Sequence, residues 1–173
     1  PATGGAVLVV GAGGAARGVI YGLLEAGSER ITVMNRSVDR AGRLVADLVR
    51  CRGDWAPRLS AAALTPEELV ETTRDAALLV NATTVGMWPQ LEGSIWPDDA
   101  PIPAHLVVFD LVYNPLETRL LQQARRAGAT AIDGLGMLVR QGALAFDMWT
   151  ALGIPIDEID AVMRTACQQA LGV

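Results

Sequence analysis

The stretch VLVVGAGGAARG, residues 7–18, decides how the rest of the chain is read. Its first half is aliphatic and β-branched, the composition of a short strand buried on both faces of a parallel sheet. Its second half holds Gly11, Gly13 and Gly14 with Ala12, Ala15 and Ala16, and almost no side-chain bulk. Backbone this bare serves a close approach. Gly11, Gly13 and Ala16 fit the G-x-G-x-x-G/A pattern between a strand and a helix. In that pattern the first glycine permits the tight turn, the second lets a pyrophosphate reach the backbone, and the third small residue keeps helix against strand. The helix start behind them offers unpaired N–H groups and a positive dipole end. A turn that merely packs a helix on a strand would use the same glycines, so the flanking elements carry the distinction.

Those elements alternate along the whole chain. Residues 6–10 read as strand, 14–26 as helix closed by Gly27, 30–34 as strand and 38–50 as helix. After an indistinct stretch at 59–64, Thr65-Pro66-Glu67-Glu68 opens a short helix with a capping threonine, a first-turn proline and first-turn acids. Strands are expected at 78–81, 106–111 and 129–132, and helices at 116–127, 138–152 and 156–171. This order predicts an α/β, Rossmann-type doubly wound parallel sheet with helices on both faces. With 173 residues, 51% of them hydrophobic, one core is expected. The division is a linker over 1–5 and one domain over 6–173. Pro1 in place of methionine, followed by Ala-Thr-Gly-Gly, reads either as a domain cut from a longer chain or as a start whose methionine has been processed.

Charge and residue usage narrow the function classes. The net charge of −5 comes with fourteen arginines and no lysine, the arginines being dispersed. Dispersed cations argue against a nucleic-acid partner. No apolar run reaches the roughly 18 residues of a membrane span, and a cytoplasmic protein is the expectation. Cys51, Cys167 and His105 lack metal-ligand spacing, so no metal is expected and both cysteines read as packing residues.

The end of the second strand bears on the cofactor. An NAD site usually places an acid there to hold the ribose hydroxyls, whereas an NADP site must accept a phosphate. Asn35-Arg36-Ser37 stands at that point, with Arg40 one turn further on. Two guanidiniums can stack on adenine and grip a 2′-phosphate, and Ser37 can donate at the helix start. Asp39 reads as a first-turn acid facing the helix dipole. NADP is therefore the expected cofactor. Further stretches fall beyond strand ends, where such sheets bind ligands. They are NATTVGM (81–87), DLVYNP (110–115), which puts Tyr113 at the crevice, and DGLGMLVRQ (133–141). Gln141 reads as lying on a helix stripe with Leu138, Ala145 and Met148, there bonding either backbone or a hydroxylated ligand. The loop at 88–103, rich in Trp and Pro, reads as a cover over the site or a packed excursion.

Taken in order, GAGGAA, NRSVDR, NATTVGM, DLVYNPLET and DGLGMLVRQGALAF resemble the NADP-binding half of the shikimate dehydrogenases. The resemblance implies reversible NADPH-dependent reduction of 3-dehydroshikimate to shikimate, on the route to chorismate and the aromatic amino acids. It also implies that Gly11, Ala12, Gly13, Gly14 and Ala15, with Asn35, Arg36, Ser37 and Arg40, bind the cofactor's phosphates and adenosine end. Ala82, Thr83, Leu111, Gly134 and Met137 would line the nicotinamide pocket, and Tyr113 and Gln141 would touch shikimate. The family's catalytic lysine, its N-T-D-G aspartate and its carboxylate-binding serines belong to an N-terminal substrate domain. These residues hold no lysine and no N-T-D-G, so no catalytic residue is assigned and inactivity in isolation is expected. A quinate-acting relative that uses NAD and a non-catalytic NADP(H)-sensing module are the alternatives.

Overall fold

The chain is described by a computed structural model over residues 5–172. Residues 1–4, most of the expected linker, and residue 173 lie outside the described residues. The elements run β1 (Ala6–Val10), α1 (Gly14–Glu25), β2 (Ile31–Asn35), α2 (Val38–Cys51), β3 (Leu59–Ala63), α3 (Pro66–Thr73), β4 (Ala76–Asn81), β5 (Val107–Asp110), α4 (Arg119–Arg126), β6 (Thr130–Ile132), α5 (Leu135–Thr150) and α6 (Ile156–Leu171). All five residues of β1 are buried, because both faces of that strand are covered. Val7 and Val9 enter one apolar core with Ile20 and Leu24 of α1 and Leu44 and Leu48 of α2. Leu8 and Val10 enter the other, with Leu69 of α3 and Leu120 and Leu121 of α4. Full burial of such a side chain contributes about 1.5–3 kcal/mol, so β1 anchors the domain.

The six strands are all parallel, in the order β3-β2-β1-β4-β5-β6. Strand order reverses between β1 and β4. The chain goes out from β1 through β2 to β3, then crosses back to β4 on the opposite side. This is a Rossmann-type doubly wound sheet. The loops leaving β1 and β4 part company at its carboxyl edge, which opens a crevice there.

Several boundaries differ from the sequence expectation, each for a local reason. Helix α4 begins at Arg119 rather than 116, because Thr118 Oγ1 accepts from Leu121 N at 3.3 Å and caps it. Helix α5 begins at Leu135 rather than 138, since Asp133 Oδ1 accepts from Leu135 N at 2.9 Å. It stops at Thr150 because Ala151 takes a left-handed conformation, φ 49°. The indistinct segment is strand β3, preceded by a 3-10 turn over Gly53–Arg58 that seats the buried Trp55 against Tyr21 edge to face. Cys51, expected as a packing residue, is exposed at the end of α2. The loop at 88–103 is a packed excursion: Trp96 and Ile102 are buried in the α3/α4 core. Arg119 holds the loop through Glu92 O at 2.9 Å and the Asp98 carboxylate at 2.7 Å.

The stripe expected to carry Gln141 is not the buried one. Leu135, Val139 and Ala143 are the buried row of α5, while Gln141 is exposed and Met148 is 78% exposed. Helix α6 packs on α5 and buries Ile159. Leu144 and Trp149 of α5, Leu152 of the connection and Val162 of α6 are exposed.

Candidate functional site

At the crevice the loop leaving β1 is tied to β2 and the loop leaving β4 is tied to β1. Gly11 N donates to Met34 O and Ala82 N donates to Val10 O, each at 2.8 Å. Gly11 adopts φ 118°, and a Cβ there would stand 2.8 Å from Ala82 O. Only glycine meets both demands. Gly13 is the N-cap of α1, with no side chain satisfying the helix start and no acid in the first turn. A Cβ on Gly13 or Gly14 would meet nothing within 4 Å. The α1 start is thus an open cradle of N–H groups, the form that receives a phosphate.

The glycine turn divides the crevice in two. The first cavity, about 580 Å³, joins Gly11, Ala12 and Gly13 to Asn35, Arg36 and Arg40 from the β2 end, with Ala82 and Thr83 opposite. The second, about 620 Å³, joins Gly14 and Ala15 to Ala82, Thr83, Leu111, Tyr113, Met137 and Gln141. Both are of a size that takes a small-molecule ligand. Ala82, Thr83 and Thr84 are the shared wall. Together the two cavities collect every sequence-derived site residue except Ser37 and Gly134. Ser37 caps α2 through backbone, and its carbonyl accepts from Asn35 Nδ2 at 2.9 Å. Gly134 is buried: a Cβ there would lie 2.6 Å from the Leu111 carbonyl carbon and 2.8 Å from Val112 O. Its small size lets α5 approach the β5 loop.

Sequence reasoning missed part of the first cavity. Leu64, Thr65 and Pro66 beyond β3 form its side, and Ser94 and Ile95 of the long loop contribute to its wall. The rule that ligands gather beyond carboxyl ends of strands, applied to the end of β3, would have found the first three.

Electrostatics distinguish the two halves. Arg36 and Arg40 are exposed, and among the described residues neither is paired with a carboxylate, whereas Arg17, Arg50, Arg52, Arg119 and Arg140 are each in ion pairs. The β2 end is thus a cationic rim without an acid partner. In the second cavity Tyr113 is the one titratable side chain among the described lining residues. Behind both stands a buried polar cluster. Asn81 and Asp110 are register partners at the ends of β4 and β5, and neither is exposed to solvent. Burial pushes the Asp110 carboxyl above its ordinary range, against the pull of donors from Thr118, Val112 and Asn81. A larger concavity, about 780 Å³, lies beside α4. There Arg119 already serves Asp98 and Arg125 serves Glu117, and the α4 start beside it is capped by Thr118. Among the described residues no His, Cys, Asp or Glu group has metal-ligand geometry, and no helix is long and apolar enough to cross a membrane.

Comparison with known proteins places this geometry. Residues 2–84 match the family model for shikimate/quinate 5-dehydrogenase, and residues 134–167 match that for the shikimate 5′-dehydrogenase C-terminal domain. The chain belongs to the shikimate dehydrogenase family. A curated shikimate dehydrogenase (NADP(+)) of Symbiobacterium thermophilum is 46% identical over 164 residues, 95% of this chain and 54% of that protein. The shikimate 5-dehydrogenase of Thermus thermophilus, solved in complex with NADP(H) and shikimate, is 39% identical with a TM-score of 0.72, covering 92% of this chain and 54% of that one. A quinate dehydrogenase of Corynebacterium glutamicum, solved with NAD, is 28% identical with a TM-score of 0.79, covering 91% and 54%. The chain spans about half the length of the curated family members it matches.

Proposed function

We propose that these residues form the NADP-binding domain of a shikimate dehydrogenase, and that the parent enzyme reversibly reduces 3-dehydroshikimate to shikimate for chorismate and aromatic amino-acid synthesis. The observation that carries the cofactor reading is the first cavity, where an open helix start and two unpaired arginines face one space. The α1 N–H groups receive the pyrophosphate over Gly13, and Arg36 and Arg40 hold the adenosine 2′-phosphate. The likeness to NADP-named relatives supports the same choice. NAD-dependent relatives exist in the family, and the absence of an acid at the β2 end is what separates this chain from an NAD reading.

The second cavity takes the nicotinamide end between Thr83, Leu111 and Met137, and Tyr113 and Gln141 meet the substrate from this side. Bound there, NADPH supplies the hydride and NADP⁺ accepts it in reverse. The ketone oxygen also needs a proton donor within hydrogen-bond reach. The acid/base groups come from the substrate domain of the parent enzyme. This chain should therefore give no NADP-linked oxidation of shikimate above background, and adding a substrate domain in trans should restore turnover. NADPH absorbance is the readout. Full turnover by these 173 residues alone would overturn the division of labour.

A further inference from the structure

The buried cluster behind the cleft is more ordered than packing requires. Asn81 Nδ2 donates to Asp110 Oδ1 at 2.9 Å, and its Oδ1 accepts from Thr83 N at 3.1 Å and Thr83 Oγ1 at 2.7 Å. Thr83 Oγ1 in turn accepts from Val85 N at 3.1 Å. On the other side Asp110 Oδ1 accepts from Val112 N at 3.1 Å and Oδ2 accepts from Thr118 Oγ1 at 2.6 Å. Gly134 N donates to Val112 O at 3.1 Å, tying in the loop before α5. Among the described residues no buried side-chain polar atom lacks a partner. The Asp110 branch ends on the Val112 turn, which walls the second cavity alone, and on the cap of α4, whereas the Asn81 branch ends on Thr83 and Val85, whose turn walls the first cavity as well.

We infer that Asp110 and Thr118 are positioning residues: they fix the Val112 turn so that the second cavity is already shaped for a nicotinamide ring before cofactor arrives. A satisfied buried network is rigid, and a wall that is rigid beforehand spares the ligand the cost of ordering it. The adenosine end, held by exposed arginines, lies away from the Val112 turn. This inference rests on the cofactor reading above and makes a prediction that a general stabilising role does not.

The test uses two ligands that share one end. Adenosine 2′,5′-bisphosphate occupies the first cavity alone, whereas NADP⁺ fills both. In Thr118→Val, titration calorimetry should show bisphosphate affinity unchanged within about twofold and NADP⁺ affinity lowered by about tenfold, the effect of losing the hydroxyl bond that holds Asp110 Oδ2. Equal weakening of both ligands, or no weakening of either, would overturn the inference. An unmodified chain that binds neither ligand would instead overturn the cofactor reading, and the inference with it. Hydrogen exchange on the unmodified chain supplies a check that needs no variant. The Val112 amide, although in a loop, should exchange at least tenfold more slowly than the exposed loop amides of Glu92 and Asp99. Equal rates would show that the turn is not held.

Discussion

Gly13→Val separates the cofactor role of the glycine turn from its packing role. Gly13 sits at φ −100°, ψ −167°, extended backbone that valine adopts readily, with open space around a Cβ. Loss of glycine's freedom in the unfolded chain stabilises by about 0.4–1 kcal/mol, and an apolar N-cap costs a similar amount, so the two nearly cancel. At about 2–4 °C per kcal/mol for a chain of this size, the melting temperature should move by no more than about 4 °C. Binding should respond very differently. The isopropyl group fills the space where a pyrophosphate would meet the α1 N–H groups, and each charge-assisted bond lost costs about 1.5–3 kcal/mol. Two lost donors amount to about a hundredfold or more in affinity. Gly134→Ala should instead destabilise the fold. Its φ of −80° suits alanine, but the Cβ meets the Leu111 and Val112 backbone, and such overpacking costs about 1–3 kcal/mol. Differential scanning calorimetry with NADP⁺ titration reads both. A Gly13→Val protein that binds NADP⁺ like its parent would reduce the turn to a packing feature.

Two further outcomes follow from the electrostatics. Arg36→Ala should lower NADP⁺ affinity by about tenfold and leave NAD⁺ affinity unchanged, the lower end of a charge-assisted phosphate contact because the rim is solvated; competitive titration with both nucleotides decides it. Asp110→Asn removes a carboxyl whose folded pKa lies above its unfolded value of about 3.9. Between those values the native state binds the extra proton. The wild type should therefore lose stability relative to the variant as pH rises from about 4 through the folded pKa, seen as a falling urea midpoint. A pH-independent difference would mean that the carboxyl titrates normally.

The sheet was legible because its strands are continuous apolar runs bounded by turn residues, and β1 matches its expected bounds. Ends governed by a single side-chain bond were not. Thr118 and Asp133 set the starts of α4 and α5, yet both are ordinary loop residues until their partners are known in space. The Gly53–Arg58 turn has no periodicity to read; Arg58 secures it by donating to Leu24 O and Ser28 O across the fold. Within the cleft, the residues found from sequence lie in contiguous motifs at strand ends. Those missed, such as Ser94 and Ile95, come from a long loop whose path is set by Arg119 and Gln123 of α4. Asn81 and Asp110 sat in quoted motifs, but their pairing depends on the β4–β5 register.

The most direct measurement is calorimetric titration of the unmodified chain with NADP⁺ and with NAD⁺ at the same ionic strength. Two unpaired arginines at the β2 end predict one site and at least about tenfold tighter binding of NADP⁺. Equal affinity for the two nucleotides, or no binding of either, would contradict the account.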